Sequence, residues 1–367
     1  MTQAKRIVCT ITSDPAYDQR MIRICTALQK GGYEVTLVGR LRAQSTDLPL
    51  QPFKQVRLDM RSRDSGKLFY FVYWIKLFWF LFFVPADALC AIDLDTILPV
   101  LWVSRLRRLK RVYDAHELFT EMEEVVSRPA TRRMWLWIER HSVPQFRYGY
   151  TVSQMYAREF RERYDVEYAI VRNATVLRPL LPVPEERGYI LYQGAVNKGR
   201  CFEQLIPAMQ HVNGRLLIAG DGNFMADAQA MVKELKLDDK VQFTGYIPPT
   251  ELPQYTRGAL VGITLFEARS KSNLYSLANR FFDYMHAGVP QLAGAYPEYT
   301  AINEEFEIAL LIPEITPTAI AAGLNQLIED QAYWQRLHEA ALRAREVYNW
   351  GAEEARLLNV WQHVFAS

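Results

Sequence analysis

Short apolar runs and amphipathic stretches alternate along the chain from its first residues. Residues 6–12 are typical of a strand, 21–30 of a helix and 33–38 of a second strand, with Gly31 and Gly32 ending the helix. A strand, a helix and a strand within about 35 residues form a βαβ unit, which requires a parallel sheet with right-handed crossovers.

The alternation continues and divides the chain in two at a proline-containing segment, residues 177–186. Further strands are predicted at 88–92, 111–113, 148–152, 189–193, 215–219, 241–244, 260–266, 291–293 and 309–312. Further helices are predicted at 203–212, 225–237, 279–286, 317–329, 332–347 and 351–365. We therefore expect an α/β fold of two Rossmann-like, doubly wound domains, 1–175 and 176–345, which face a central cleft. Residues 346–367 are expected to form a C-terminal helix that packs back across the junction.

One segment, residues 68–84, is apolar on every side. Ten of its residues are aromatic and Lys76 is its only charge. A helix that spans a bilayer needs roughly 17–25 apolar residues, so this one, with a central lysine and strands on both sides, is not expected to span. Two readings remain, a buried core helix or a helix lying in a membrane interface, and flanking charge favours the interface. That charge comes from Arg61, Arg63, Lys67, Arg105, Arg107, Arg108, Lys110, Arg111, Arg132, Arg133 and Arg140.

The overall charge is close to neutral, but it is unevenly distributed. The 367 residues include 43 Lys and Arg and 41 Asp and Glu, for a net charge of +2. Residues 1–175 carry +8 and the remainder carries −6. A chain that is 50% hydrophobic and 23% charged is neither disordered nor fibrous. Because the aromatic residues concentrate in one apolar helix, the basic half is expected to contact anionic lipid, and no nucleic-acid partner is expected.

Cysteine and histidine are scattered. The isolated Cys9, Cys25, Cys90 and Cys201 show no zinc-ligand spacing and are expected to be buried. The first residues turn directly into a strand and lack the apolar core of a signal peptide. We expect a cytoplasmic protein, attached peripherally at the inner face of the cytoplasmic membrane.

In the first half, polar side chains cluster where strands end. The loop 12–20 lacks the glycines of a nicotinamide fingerprint; Asp18 is expected to cap the next helix and Arg20 to point into the cleft. Residues 93–95 and 114–117 place carboxylates and His116 at the same sheet edge. His116 is interpreted as a functional residue that hydrogen-bonds a polar substrate, against the alternative of a structural histidine.

In the second half, two turns at strand ends suit a phosphate. Residues 194–200 bring Lys198 and Arg200 to the beginning of a helix, where cations and the helix dipole favour an anion. Gly220, which follows the next strand, lets a ligand approach the backbone.

The segment 272–290 carries the strongest signal. A polar turn opens a short helix with Asn279, Arg280 and Asp283, and a Gly-Val-Pro sequence closes it. Asp283 is interpreted as a hydrogen-bond acceptor for a sugar cis-diol, with Arg280 facing phosphates. The alternative is an ordinary amphipathic helix with solvated charges.

The order of the motifs along the chain resembles that of the GT-B glycosyltransferases, specifically the retaining enzymes of family 4. The resemblance covers essentially the whole length of the chain. The segments that carry the resemblance are YDQRMIRICTALQKGGYEVTLVG, DLDT, YDAHE, SQMYAREFRERY, YQGAVNKGR, LLIAGDGN, VQFTGYIPPTELPQYTRGALVGITL, the Asn-Arg, Asp-Tyr-Met and Gly-Val-Pro helix, and Trp350. The resemblance implies transfer of a sugar from a nucleotide diphosphate donor of UDP or GDP type, with retention and without a metal or other cofactor. It implies a glycan or lipid-linked acceptor in bacterial polysaccharide or glycoconjugate assembly.

The resemblance also implies roles for individual residues. It makes His116, Arg200 and Arg280 the candidate catalytic group, with His116 near the transferred sugar and both arginines near the diphosphate. The donor contacts that it implies are Lys198, Gly220, Tyr246, Ile247, Tyr275, Asn279 and Asp283, with Asp283 at the ribose and Tyr246 and Ile247 near the base.

The chain departs from the family pattern at three positions. Tyr275 stands where the first glutamate of a Glu-x7-Glu motif is found, Asp283 replaces the second, and Cys201 stands where a glycine often occurs. Two alternatives therefore remain open, a catalytically silent GT-B binding or scaffold protein and a GT-B epimerase that acts on a UDP-N-acetylhexosamine.

Overall fold

The chain folds into two compact α/β units. A computed structural model describes residues 4–63, 66, 68–180 and 188–366. The first unit contains the described residues of Met1–Asn173, Ser270–Ser272 and Glu353–Ser367, and the second contains those of Ala174–Arg269 and Asn273–Ala352. Lys67 and most of the predicted linker lie outside the described residues. The domain ranges 1–175, 176–345 and 346–367 stay predictions.

The first unit is built on a parallel sheet of seven strands among its described residues, in the order β3-β2-β1-β4-β5-β6-β7. The strands are β1 (Arg6–Thr10), β2 (Glu34–Leu41), β3 (Lys54–Asp59), β4 (Ala88–Ile92), β5 (Lys110–Ala115), β6 (Tyr148–Thr151) and β7 (Ala169–Ile170). The helices are α1 (Gln19–Lys30), α2 (Phe69–Phe83), α3 (Ile97–Leu106), α4 (Glu123–Val126), α5 (Pro129–Ser142) and α6 (Gln154–Tyr164).

The second unit repeats this plan with six parallel strands among the residues described, in the order β10-β9-β8-β11-β12-β13. The strands are β8 (Tyr189–Gln193), β9 (Leu216–Ala219), β10 (Val241–Gly245), β11 (Ala259–Thr264), β12 (Gln291–Gly294) and β13 (Ala309–Ile312). The helices that follow β7 in the chain are α7 (Phe202–Ala208), α8 (Met225–Glu234), α9 (Leu252–Gly258), α10 (Lys271–Leu274), α11 (Asn279–His286), α12 (Pro297–Glu305), α13 (Pro317–Glu329), α14 (Gln331–Val347) and α15 (Trp350–Ala366). Of these, α15 from Glu353 onward and the beginning of α10 belong to the first unit.

The central strands are apolar runs because helices cover both faces of each sheet. Every residue of β4 is buried, as are four of five in β8. Parallel strands buried on both faces read as continuous hydrophobic sequence rather than as alternation. This arrangement puts the carboxyl ends of all the strands in a unit at one edge of its sheet, where α/β proteins bind ligands. The predicted fold class, two Rossmann-like α/β domains, is confirmed.

The aromatic helix α2 has two different sides. Phe69, Tyr73, Leu77 and Leu81 recur every fourth residue and are buried against the unit. Phe71, Ile75, Trp79, Phe82 and Phe83 lie on the opposite side and are exposed, with Phe83 at 73%. The helix α2 is therefore not a core helix buried on most of its sides, since only four of its fifteen residues are buried. Within the described part of the chain, no helix is both long enough and apolar enough to cross a membrane.

Candidate functional site

A cluster of ionisable side chains lies at the carboxyl edge of the first sheet. Asp93 follows β4, and Asp114 and His116 come from the end of β5 and the turn after it. The two strands are hydrogen-bonded in register from Ala88 and Lys110 onward, so these side chains meet. His116 Nδ1 lies 3.4 Å from Asp93 Oδ2, and its Nε2 lies 3.8 Å from Asp114 Oδ2.

The charge state of His116 is set by opposing effects. Burial and the Arg20 guanidinium lower its pKa, whereas Asp93 and Asp114 raise it, and the balance raises the pKa above its ordinary value. Glu117, the next residue, is half-buried, and desolvation raises the pKa of its carboxyl group. Its Oε2 accepts a hydrogen bond of 2.9 Å from Ser272 Oγ, which the sequence did not place in the first unit.

Arg20 forms its contacts inside the first unit. Its guanidinium is buried and donates to Asp114 Oδ1 at 3.0 Å and to the Val171 carbonyl oxygen at 3.2 Å. The expectation for Arg20 is corrected, because a buried carboxylate at the end of β5 captures the guanidinium. Asp18 caps α1 as predicted, with Oδ1 accepting from Met21 N–H at 3.0 Å.

Asp95 is a buried acid in the same cluster. Burial, with the nearby charge of Asp93, raises its pKa to about 7, although the Thr12 hydroxyl donates a hydrogen bond to its carboxylate. The Trp74 indole N–H donates to the Asp95 carbonyl oxygen at 2.7 Å, which connects α2 to this sheet edge.

In the second unit, two glycine turns touch each other at the ends of β8 and β9. Gly194 has φ +126° and Gly220 has φ +156°. A Cβ atom on Gly220 would lie 1.8 Å from the Gly194 carbonyl oxygen, so no side chain fits there. The loops are also linked by a hydrogen bond of 3.0 Å from Val196 N–H to the Asp221 carbonyl oxygen. The contact between the two turns therefore requires glycine at 220, where the residue is buried, whereas Gly194 is exposed. The predicted approach of a ligand to Gly220 stays a prediction.

Arg280 lies directly behind these turns. It is buried on α11, donates from Nη1 to the Gln193 carbonyl oxygen at 3.0 Å, and stacks 4.4 Å from the Tyr192 ring centroid. Burial opposes its charge, but the surrounding rings of Tyr192 and Tyr284 raise its pKa. Among the residues described, no carboxylate forms an ion pair with Arg280, and its Nε has no hydrogen-bond partner. A buried cation without a counter-ion is strongly favourable to an incoming anion.

Lys198 and Arg200 lie on the loop that follows Gly194. Lys198 is exposed, and its backbone N–H is held by Asn223 Oδ1 at 3.0 Å. Arg200 is half-buried, and no described residue forms a hydrogen bond or ion pair with its guanidinium. The next residue, Cys201, has φ +59°, the left-handed conformation that glycine adopts most readily. All four cysteines are buried and free, as expected.

Asp283 is engaged by protein groups in this structure. Its Oδ1 accepts from the Thr175 hydroxyl at 2.6 Å and its Oδ2 accepts from Gln193 Nε2 at 3.0 Å. Gln193 in turn accepts from the Thr256 hydroxyl at 2.8 Å. The proposed ribose contact of Asp283 stays a prediction, and the carboxylate already fixes the end of β8.

The remaining predicted donor residues lie on two other loops. Tyr246, just after β10, is 73% exposed, and the neighbouring Ile247 packs on a small apolar cluster. Tyr275 is half-buried and Asn279 is exposed at the beginning of α11. Their predicted contacts with a donor stay predictions.

Sequence reasoning missed Tyr192 and Gln193, which together hold Arg280 and Asp283 at the edge of β8. Both residues end a predicted strand directly before a glycine turn, and this position is the sequence signal that could have identified them. No group of three or more metal-binding side chains occurs within the part of the chain that the structure describes.

Most of the second unit matches a known family model. Residues 175–344 match the family model for glycosyl transferases group 1. The chain is 26% identical over 163 residues to the alpha-monoglucosyldiacylglycerol synthase of Streptococcus pneumoniae, covering 41% of this chain and 36% of that protein. It is 28% identical over 188 residues to the lipopolysaccharide core biosynthesis glycosyltransferase LpsD of Rhizobium meliloti, covering 49% and 52%. The matched part therefore spans about a third to a half of the length of these relatives.

Solved structures resemble the whole chain. A sucrose-phosphate synthase from Thermosynechococcus elongatus superposes with a TM-score of 0.83 at 19% identity, covering 99% of both chains. HepE from Anabaena, in complex with UDP and glucose, superposes with a TM-score of 0.77 at 13% identity, covering 98% of this chain and 100% of the other. At these identities the likeness establishes the fold. The predicted resemblance is confirmed: residues 175–344 match the glycosyl transferases group 1 model, and the chain has the GT-B fold.

Proposed function

We propose that the protein is a retaining glycosyltransferase that moves a sugar from a nucleotide diphosphate donor of UDP or GDP type to a glycan or lipid-linked acceptor. The reaction serves bacterial polysaccharide or glycoconjugate assembly. The donor binds to the second unit, at the carboxyl ends of β8 and β9.

The observation that carries this proposal is Arg280. Its guanidinium is buried beside Gln193 and the Gly194 turn, and no described carboxylate neutralises it. A diphosphate supplies the missing negative charge, and the exposed backbone at Gly194 lets it approach closely. Charge-assisted hydrogen bonds to phosphate are about twice as strong as neutral ones, so this site favours a diphosphate over a neutral sugar.

Arg200 and Lys198 complete the electrostatic part of the reaction. As the anomeric bond breaks, negative charge grows on the leaving diphosphate, and preorganised cations stabilise it without a metal. The side chain of Arg200 is free of described hydrogen bonds and ion pairs, so it needs to break no contact in order to turn toward the donor. Tyr246 offers an exposed ring for stacking on the base.

The comparisons support the acceptor class. One relative is named as a synthase of a glucosylated diacylglycerol and another as a lipopolysaccharide core glycosyltransferase. A similar solved structure contains UDP and glucose. These names favour a UDP-sugar donor and a lipid-linked acceptor for this chain.

The test is release of nucleoside diphosphate from UDP- and GDP-sugars in the presence of a bacterial lipid extract. The wild-type protein is expected to release one of the two nucleotides. Arg200→Ala is expected to lower the rate by about 10²-fold with the fold intact, because one charge-stabilising donor is removed. Arg343→Ala, which removes an exposed arginine on α14, is the matched control and should retain the rate.

Unchanged turnover in Arg200→Ala would contradict the phosphate assignment. Binding of a nucleotide without any turnover would instead favour the catalytically silent scaffold, an alternative motivated by Tyr275 and Asp283. Interconversion of UDP-N-acetylhexosamines without transfer would favour the epimerase.

We further propose that the protein works as a peripheral enzyme on the inner face of the cytoplasmic membrane. The exposed side of α2 carries Phe71, Trp79 and Phe83, and the adjoining helix α3 exposes Trp102. Exposed basic side chains occur on α2 and α3 and on α5, and they are Lys76, Arg105, Arg133 and Arg140, with Arg108 just after α3. Aromatic rings with basic neighbours match the chemistry of an anionic lipid interface.

Co-sedimentation with vesicles of phosphatidylglycerol and phosphatidylcholine tests this attachment. Trp79→Ser with Phe83→Ser is expected to reduce binding strongly, and high salt is expected to weaken it. Leu50→Ser is the control, since Leu50 is fully exposed but lies between β2 and β3 rather than on α2. Equal binding by the α2 variant, or concentration-dependent dimerisation through α2 in place of vesicle binding, would contradict the proposal.

A further inference from the structure

The turn that follows β4 contains a residue in a conformation that is normally reserved for glycine. Asp93 has φ +54° and ψ 173°. Side chains with a Cβ are rarely found there, and such positions persist where the surroundings fix them, frequently at functional sites. The sequence therefore keeps an aspartate at a place where glycine would be less strained, which indicates that its carboxylate has a purpose.

The Asp93 carboxylate makes two contacts with His116 and one with the next residue. Oδ1 accepts from the backbone N–H of His116 at 2.8 Å and from that of Glu117 at 3.2 Å. Oδ2 lies 3.4 Å from Nδ1 of the His116 ring. A single side chain thus holds both the turn and the ring, which leaves the imidazole little freedom to rotate.

The charged groups that interact with the ring are Asp93, Asp95, Asp114, Glu117 and Arg20. Asp93 and Asp114 face its two nitrogens, and Arg20 lies beyond Asp114, to which its guanidinium is paired at 3.0 Å. Nε2 is buried and has no hydrogen-bond partner among the described residues. Asp114 is also paired with Arg20, so Asp93 is the nearer carboxylate, at 3.4 Å from a ring nitrogen against 3.8 Å for Asp114.

We propose that Asp93 is the positioning residue of His116, fixing the orientation of the ring and keeping the imidazole in its cationic form. His116 then acts in sugar transfer as an oriented positive charge rather than as a proton acceptor. This role rests on the proposed glycosyltransferase function. The contact itself is a property of the first unit and can be measured without turnover.

The first test is an NMR titration of the histidine ring Cε1–H signals, with His116 assigned by its loss in His116→Gln. In Asp93→Asn and Asp93→Gly, the titration of His116 is expected to shift to lower pH, because a negative charge beside the ring is removed. Glycine suits the backbone conformation at this position, so Asp93→Gly is expected to fold. Asp87→Asn is the control: it changes a carboxylate at the opposite end of β4, which accepts from Arg6 N–H at 2.8 Å.

The second test is the pH dependence of kcat with the donor saturating. In the wild type, kcat is expected to fall as the pH rises through the pKa of His116, and in Asp93→Asn this decline should move to lower pH. Below the decline, kcat of the variant should be reduced by about 10²-fold, the loss typical of a misplaced reacting group. The affinity for UDP or GDP should stay at its wild-type value, since the nucleotide binds to the other unit.

Two results would overturn the proposal: a His116 titration that Asp93→Asn leaves unmoved, or a kcat that rises with pH through the His116 titration. A moved titration with unchanged kcat would also overturn the role in transfer. If the wild type transfers no sugar at all, the proposed function fails, and the NMR shift still decides whether Asp93 controls His116.

Discussion

The buried ionisable side chains of the first unit form ion pairs and hydrogen bonds with specific partners that the sequence did not predict. Polar loops at one sheet edge were predicted because acidic residues follow apolar strands. These loops carry Asp93, Asp95, Asp114 and His116. The direction of each side chain was not predictable, because capture of Arg20 by Asp114 depends on packing between α1 and β5.

Asp95 gives a prediction about stability and pH. Its pKa is raised to about 7, so between about pH 4 and pH 7 the folded protein retains a proton that the unfolded chain has released. The retained proton stabilises the folded state. This stabilisation is greatest at low pH and is lost as the pH rises through 7. Asp95→Asn, which does not titrate, should therefore gain stability relative to the wild type between these values, by about 1–4 kcal/mol.

The measurement is urea unfolding of both proteins at several pH values. Asp59→Asn serves as the control, since the pKa of exposed Asp59 is lowered by Arg61. A difference between Asp95→Asn and the wild type that stays constant with pH would contradict the assignment of a raised pKa to Asp95.

Gly220 gives a prediction about backbone packing. In Gly220→Ala the new Cβ would lie 1.8 Å from the Gly194 carbonyl oxygen, so the two turns must separate. We expect a loss of about 1–3 kcal/mol in the free energy of unfolding, together with weaker nucleotide binding. Chemical denaturation and calorimetry measure the two effects.

Gly32→Ala is the matched control for Gly220→Ala. Gly32 has φ +88° but no atom within 4 Å of its added Cβ, so only the conformational strain of about 1–2 kcal/mol applies. Equal losses in the two variants, with nucleotide binding retained in both, would show that the contact between the two turns is unimportant.

At the scale of elements, prediction succeeded where burial leaves a strong sequence signal. The bounds predicted for β4, β8, α11 and α13 are those observed. The strand β3, with the sequence KQVRLD, was missed because it lies at the edge of the sheet and has few apolar residues. The helix α9 was missed because it is short and begins with a Leu-Pro pair.

The two sides of α2 could not be assigned from sequence, since aromatic residues occupy both. The structure gives a clear contrast between buried Leu77 and exposed Phe83. Leu77→Ala should lower the free energy of unfolding by about 2–5 kcal/mol, whereas Phe83→Ser should change it by less than about 0.5 kcal/mol. Thermal or urea denaturation checks this, and comparable losses in both variants would contradict the assignment of sides.

At the scale of the whole molecule, chain order does not follow the compact units. Residues 353–366 and 270–272 group with the first unit, although they come after the second domain begins. Glu353 is buried there and accepts from Arg172 N–H at 3.0 Å and from Arg356 Nη1 at 2.6 Å. No local pattern predicts the contact with Arg172, because the two residues are 181 positions apart in sequence.

The uneven charge of the chain now has a structural counterpart. The basic first half forms the unit with the exposed aromatic side of α2, and the more acidic remainder includes the group 1 domain. Under the proposed function, a diphosphate is attracted to this net negative half only by local cations, and the proposal makes the buried Arg280 the decisive one.

The most direct measurement is isothermal titration calorimetry of UDP and GDP into wild-type protein, Arg280→Leu and Arg280→Lys. The wild type is predicted to bind one nucleotide in a saturable one-to-one titration, and Arg280→Leu to bind it about 10- to 100-fold more weakly, the loss expected for a charged hydrogen bond. Arg280→Lys, which keeps the charge, should fall between them. Absence of saturable binding for both nucleotides, or undiminished binding by a folded Arg280→Leu variant, would contradict the account.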